Sequence, residues 1–116
     1  MQVNKSLLAS STTMLVLKLL EEKDMYGYLM IEVLAKRSDN TFSLKAGTLY
    51  PILHGLEKQG MVSSYEETAD SARVRKYYNL TSKGRQLLRE KQAEWNAYSG
   101  AVEKVLQRGG AGYAFS

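Results

Sequence analysis

The spacing of apolar residues changes at Gly60, and that change constrains the fold more than any other feature of the chain. Before it, Leu49, Ile52, Leu53 and Leu56 fall at i, i+3, i+4 and i+7, one apolar face of a helix. Gly60 can adopt the left-handed conformation that ends a helix, which leaves Met61 placed to fold back on Leu56. After it, Met61 to Glu67 and Arg73 to Leu80 alternate as two strand-like runs rich in Val and Tyr, joined by the small polar segment Ala69 to Ala72. In the second run Val74, Lys76, Tyr78 and Leu80 share one face, with Arg73, Arg75, Tyr77 and Asn79 on the other. Leu80 belongs in the core, so Tyr78 is expected there too.

The face of the helix opposite the leucines carries Gly47, Pro51, His54 and Lys58, flanked by Thr48 and Tyr50. A firm core face with small, aromatic and basic residues outward suits insertion into a DNA groove, although any surface helix of a small domain can look the same. Pro51 is expected within the first turns, where its missing N–H costs least. Arg73, Arg75 and Lys76 crowd the tip half of the hairpin. A basic hairpin beside such a helix is a wing that can straddle phosphates; Lys and Arg also protect edge strands from aggregation. Glu57 is placed to pair with Arg75 or Lys76 and brace the wing.

Upstream, Lys5 to about Lys23 reads as a helix, polar in its early turns at Ser10 to Thr13 and apolar almost all round from Met14. Such a helix needs cover on two sides, from a second subunit or as the central helix of a monomer core. Glu22 to Met25 is a short connection. Tyr26-Gly27-Tyr28 opens a second helix to about Arg37, with Tyr28, Ile31, Leu34 and Ala35 as its buried stripe. Ser38 to Thr41 is a polar turn, and Phe42 to Leu44 reads as a very short strand. Two helices around a polar turn, the second with an outward basic face, have the outline of a helix-turn-helix.

Thr81 fits the N-cap of a last helix from Ser82 to roughly Gln107. Leu88, Trp95 and Val102 repeat every seven residues, with Tyr98 and Val105 as a second series interrupted at Lys91. That seam needs a partner surface, and dimerisation through it is expected. Trp95 reads either as dimer core or as half of a ligand slot closed by the symmetry mate. Gly109 to Ser116 is glycine-rich and reads as a flexible tail.

The 116 residues fit one domain, and 16 Lys+Arg against 12 Asp+Glu give a net charge of +4, which favours a polyanionic partner. The absence of cysteine excludes a thiolate site, and with His54 as the only histidine, on a helix face expected to be exposed, neither an ordinary transition-metal site nor a catalytic triad is expected. Glu66 and Glu67 point to opposite faces of a strand, and no glycine loop is placed to cradle phosphate. Neither an enzyme nor a cofactor is expected. No apolar run approaches a membrane span, and no signal peptide is recognisable, so cytoplasm is the default location.

Met25-Tyr-Gly-Tyr28, Gly47-Thr-Leu-Tyr-Pro51, Leu56-Glu57 with Gly60-Met61-Val62, and Arg75-Lys-Tyr-Tyr-Asn-Leu-Thr81 with Gly84 keep their order over roughly residues 7 to 90. This set resembles the PadR family of bacterial transcriptional regulators, specifically its small, single-domain, multidrug-regulator-like branch. The resemblance implies a mainly α fold with a small β-hairpin (α+β), a winged helix-turn-helix with an N-terminal helix and a long C-terminal dimerisation helix. It also implies repression at a palindromic promoter site, with planar aromatic compounds held between subunits against Trp95. Lys45 departs from the family by standing where a capping serine or asparagine is common, and Gly55 by replacing what is often a basic residue.

The expected organisation is a DNA-binding domain over 1–80, a dimerisation helix over 81–108 and a tail over 109–116. DNA contacts are assigned to Lys45, Thr48, Tyr50, Pro51, His54, Lys58, Arg73, Arg75 and Lys76. The dimer interface is assigned to Leu88, Trp95, Tyr98, Val102 and Val105. The expected partners are double-stranded DNA, a second copy of the chain and planar aromatic small molecules, with no membrane. The rival readings are a small-molecule-binding protein built around the aromatic slot, and a protein-interaction adaptor without DNA.

Overall fold

In the computed structural model, which describes residues 4–68 and 73–107, the chain runs α1 (Lys5–Glu22), β1 (Met25–Tyr26), α2 (Gly27–Arg37), α3 (Ala46–Lys58), β2 (Val62–Thr68), β3 (Val74–Leu80) and α4 (Ser82–Leu106). The apolar run of α1 makes it the central helix of the protomer. Val16, Leu17, Leu19 and Leu20 are buried, covered by α2, β3 and the first part of α4. The polar early turns of α1 are drier than expected. Ser11 and Thr12 are buried, and each hydroxyl donates to a carbonyl one turn back, Thr12 to Leu8 at 2.5 Å.

The α2–α3 connection is built from local polar chemistry. The Ser38 hydroxyl donates to the Leu34 carbonyl and accepts from the Phe42 N–H at 2.9 Å. Asp39 and Asn40 turn the chain at φ 50° and 65°, a conformation these two residue types tolerate. The Arg37 guanidinium grips both carboxylate oxygens of Glu22 and ties the end of α2 to the end of α1. The strand expected at Phe42 to Leu44 is absent, because that segment has no strand beside it. The third strand lies instead at Met25–Tyr26, which pairs antiparallel with Tyr78 and Tyr77 in a sheet of order β1-β3-β2.

Gly60, at φ 77°, ends α3 as its sequence position requires. The Met61 N–H donates to the Leu56 carbonyl at 2.8 Å and the Gly60 N–H to the Glu57 carbonyl at 3.0 Å, a Schellman arrangement. β2 and β3 then pair from Val62↔Leu80 to Thr68↔Val74, and the tip expected at Ala69 to Ala72 lies outside the described residues. Tyr78 and Leu80 are buried together, on the face expected of them.

Thr81 caps α4: its hydroxyl accepts from the Gly84 N–H at 3.0 Å and lies 2.7 Å from the Gly60 carbonyl and 2.9 Å from that of Met61. At Gly84 a side chain has no room, since a Cβ would sit 2.1 Å from the Met61 carbonyl oxygen. The start of α4 is thereby fixed against the turn that ends α3. Gly109 to Ser116, read as a tail, also lies outside the described residues.

Candidate nucleic-acid interface

α3 rests on the core through Leu49, Leu53 and Leu56, which leaves Gly47, Pro51, His54 and Lys58 exposed along its far side. Pro51 falls in the second turn of α3, which begins at Ala46 with Lys45 as its cap residue, so it lies within the first turns as expected but past the positions whose N–H groups have no helical partner. Pro51 therefore has no N–H to offer the Gly47 carbonyl, one turn back on the exposed face. Lys45 caps the helix without a side-chain hydrogen bond. A Cβ at Gly47 or Gly55 would meet nothing within 4 Å, so neither glycine is demanded by packing within the protomer.

The two flanks of α3 differ. Lys45 and Thr48 border a shallow groove against Leu8 and Thr12 of α1. On the other flank Tyr50 turns toward the wing. Its ring lies against Gly27, where a Cβ would meet the phenol oxygen at 2.3 Å, and it meets Tyr28 edge-on at 6.4 Å. Burial pushes the Tyr50 phenol above its ordinary pKa, and Tyr28 and Tyr78 add to the shift. Tyr28 itself is 66% exposed, which corrects its expected place in the buried stripe of α2. Leu34 holds the buried place expected of it and Ile31 and Ala35 are half-buried, but the buried line runs through Gly27, Met30 and Leu34 at i, i+3 and i+7, and Tyr28 lies one step round the helix from it.

Between Tyr50 and the wing lies an open notch of about 450 Å³, lined by Tyr26, Gly27, Tyr28, Tyr50 and the run Arg73 to Lys76. The three basic residues of the wing thus reach one notch from two faces of β3. Lys76 faces α3, where its ammonium lies 3.7 Å from Glu57. The Ser64 hydroxyl donates to the same carboxylate at 2.5 Å and, ahead of Lys76, holds its pKa below the ordinary value. Of the two alternative partners expected for Glu57, Lys76 is the one that pairs with it. Arg75 points to the opposite face of the sheet, with its guanidinium carbon 4.4 Å from the centre of the Tyr26 ring.

That outer face carries an aromatic array which sequence reasoning missed. Tyr26 meets Tyr77 edge-on at 5.5 Å, and Tyr77 stacks on Tyr65 at 5.7 Å. The Tyr65 hydroxyl donates to Asp24 at 2.7 Å, and the Asn79 amide donates to the other oxygen of Asp24 at 3.0 Å. The bond to Asp24 pushes the Tyr65 phenol up to about 12. Alternation placed Tyr77 and Asn79 on this face, but nothing in the sequence revealed that Tyr26 was a strand residue beside them.

At the far end of the molecule, Trp95, Tyr98, Val102 and Val105 are exposed along one side of α4, together with Leu106. Leu88 does not join them. It is 1% exposed and packs in the protomer core, so it has no surface left to give to a seam. Trp95 and Tyr98, their rings 6.3 Å apart, form one wall of an open cleft of about 450 Å³ against Leu7 and Met14 of α1, with Lys91 and Glu94 at its border.

A family model described as the transcriptional regulator PadR-like family matches residues 16–90. An uncharacterized protein of Lysinibacillus sphaericus is 33% identical over 93 residues, which cover 80% of this chain and 85% of that protein. A PadR family transcriptional regulator from Eggerthella lenta superposes with a TM-score of 0.77 at 36% identity, over 88% of this chain and 87% of that one. A transcriptional regulator from Clostridium thermocellum reaches a TM-score of 0.81 at 27% identity, over 89% of this chain and all of its own. A PadR-like regulator from Bacillus cereus reaches 0.79 at 25% identity, over 90% and 99%.

Proposed function

The chain belongs to the PadR-like family of transcriptional regulators, a family of DNA-binding regulators and not of enzymes, and from that premise we propose that it is a homodimeric, ligand-responsive repressor of a palindromic promoter site. The observation that carries this reading is the juxtaposition of the exposed α3 face with the notch holding Arg73, Arg75 and Lys76. α3 enters the major groove, where Thr48, Pro51, His54 and Lys58 meet base edges or the groove floor, and the unclaimed space at Gly47 and Gly55 lets the backbone approach. Lys45, Tyr50 and the three wing cations contact phosphates on either side.

The homodimer is supported by the aromatic and aliphatic series from Trp95 to Val105, whose exposure in a single protomer is hard to reconcile with a chain that works alone. A two-fold dimer presents two copies of α3 and so reads a palindrome. The ring faces of Trp95 and Tyr98 in the open cleft support a planar aromatic ligand there, which would regulate DNA binding only by favouring one spacing of the two recognition helices. A DNA-bound role implies the cytoplasm. The test is a gel-shift titration with the DNA upstream of the protein's own gene, beside a random duplex of equal length. Selective retardation of the upstream fragment supports the reading; equal affinity for both contradicts a specific repressor.

A further inference from the structure

We propose that Tyr26 is a positioning residue for DNA binding, holding the Arg75 guanidinium in place for a phosphate through the face of its ring. The inference rests on the reading of Arg75 as a backbone contact. Tyr26 lies directly across from Tyr77 in the β1–β3 register, which makes Arg75 its diagonal neighbour, and a long side chain spans that separation. The guanidinium carbon stands 4.4 Å from the ring centre. Directly across from Arg75 on β2 is Glu67, yet among the described residues Arg75 takes part in no ion pair. The wing cation on the other face, Lys76, also lies over a ring, that of Tyr78 at 5.4 Å, but unlike Arg75 it is shared with a carboxylate, Glu57.

The difference matters chemically. A carboxylate partner consumes N–H donors and neutralises charge, whereas a ring face orders the guanidinium and leaves its in-plane donors open for a bidentate phosphate contact. Ordering the side chain before DNA arrives removes entropy that would otherwise be lost on binding. The ring itself is held from behind. Tyr77 buttresses it edge-on, Tyr65 stacks on Tyr77, and Asp24 ties Tyr65 and Asn79 to the segment that leads into β1. The array spans all three strands of the sheet and ends at the one cation of its face that borders the notch on top of an aromatic ring.

The experiment is a fluorescence-anisotropy titration of a random-sequence duplex with the full chain, comparing wild type, Arg75→Ala, Tyr26→Leu, Tyr26→Phe and the double variant Tyr26→Leu/Arg75→Ala. Tyr26→Leu is expected to weaken binding about two- to fivefold per protomer, with Tyr26→Phe near wild type. In the Arg75→Ala background, Tyr26→Leu is expected to have no further effect. If Tyr26→Leu does not fold, progressively fluorinated phenylalanines at position 26 keep the ring and weaken only its electrostatic face; affinity is then expected to fall stepwise. Full binding by Arg75→Ala overturns the phosphate role of Arg75 and this proposal with it. Weak binding by Arg75→Ala, together with a Tyr26→Leu loss that persists in the double variant or a flat response to fluorination, overturns the positioning role alone.

Discussion

Gly55 and Gly84 are both helical glycines, and their surroundings demand opposite outcomes on substitution. A Cβ at Gly55 meets open space, so Gly55→Ala is expected to stabilise the protein by about 0.5–1 kcal/mol, read as a melting point higher by about 4 °C. The same change is expected to weaken DNA binding by filling the approach path. A Cβ at Gly84 meets the Met61 carbonyl, and Gly84→Ala is expected to cost about 1–3 kcal/mol. The hydrogen bond from Tyr65 to Asp24 gives a pH signature. Its folded pKa, raised from 10 to about 12, makes its contribution complete below pH 10 and lost as pH rises through about 12. Ultraviolet titration of wild type against Tyr65→Phe is expected to show one late tyrosinate missing from the variant; identical curves would remove the bond from the account. At this scale the sequence was informative where a residue type has one physical use. Gly60 stops a helix, Thr81 caps one, and Tyr78 follows Leu80 into the core. Tyr28 was misread because α2 is apolar at Tyr28, Leu29, Met30 and Ile31 in succession, so spacing alone does not single out Met30 over Tyr28 as the residue that lines up with Leu34 in the core.

Among the elements, the four helices and the hairpin were legible because each is long enough to display its period. β1 was not, since two residues have no period, and its strand character comes wholly from pairing with Tyr77 and Tyr78. With β1 went the aromatic array, the part of the candidate site that the sequence did not reveal. α4 was legible in extent and only partly in use. Leu88 fits the sevenfold spacing as well as Trp95 does, but it packs into the core cluster of the protomer, a tertiary fact that periodicity does not carry. The proposed seam therefore begins beyond Leu88. Val102→Glu with Val105→Glu places charge on side chains that a lone protomer leaves exposed, so the head should keep its melting behaviour while the dimer dissociates. Sedimentation is expected to show monomers; intact dimers would move the interface elsewhere.

The whole molecule is drawn out, with extents of 70 × 30 × 21 Å and a radius of gyration of 17.8 Å, against about 13 Å for a compact domain of this length. α4, 25 residues and about 37 Å long, accounts for about half of that length, and its later part runs past the head, which separates the basic notch from the aromatic cleft. In the proposed dimer, a ligand at Trp95 would therefore act on DNA binding through the relative placement of two heads and not by touching DNA. Planar aromatic dyes are expected to quench the single tryptophan at stoichiometric levels; unquenched fluorescence across a varied panel would leave Trp95 as a packing residue. The proposed division of labour has α3 reading bases and the wing neutralising phosphates. The most direct test titrates the upstream operator and a random duplex at several salt concentrations, with wild type, His54→Ala, Thr48→Ala, and Arg75→Ala with Lys76→Ala. The helix variants are expected to lose discrimination between the duplexes at an unchanged salt slope. The wing variant is expected to lose affinity for both alike, with a slope shallower by about one for each phosphate contact removed. Wing variants that change sequence preference, beside helix variants that do not, would contradict it.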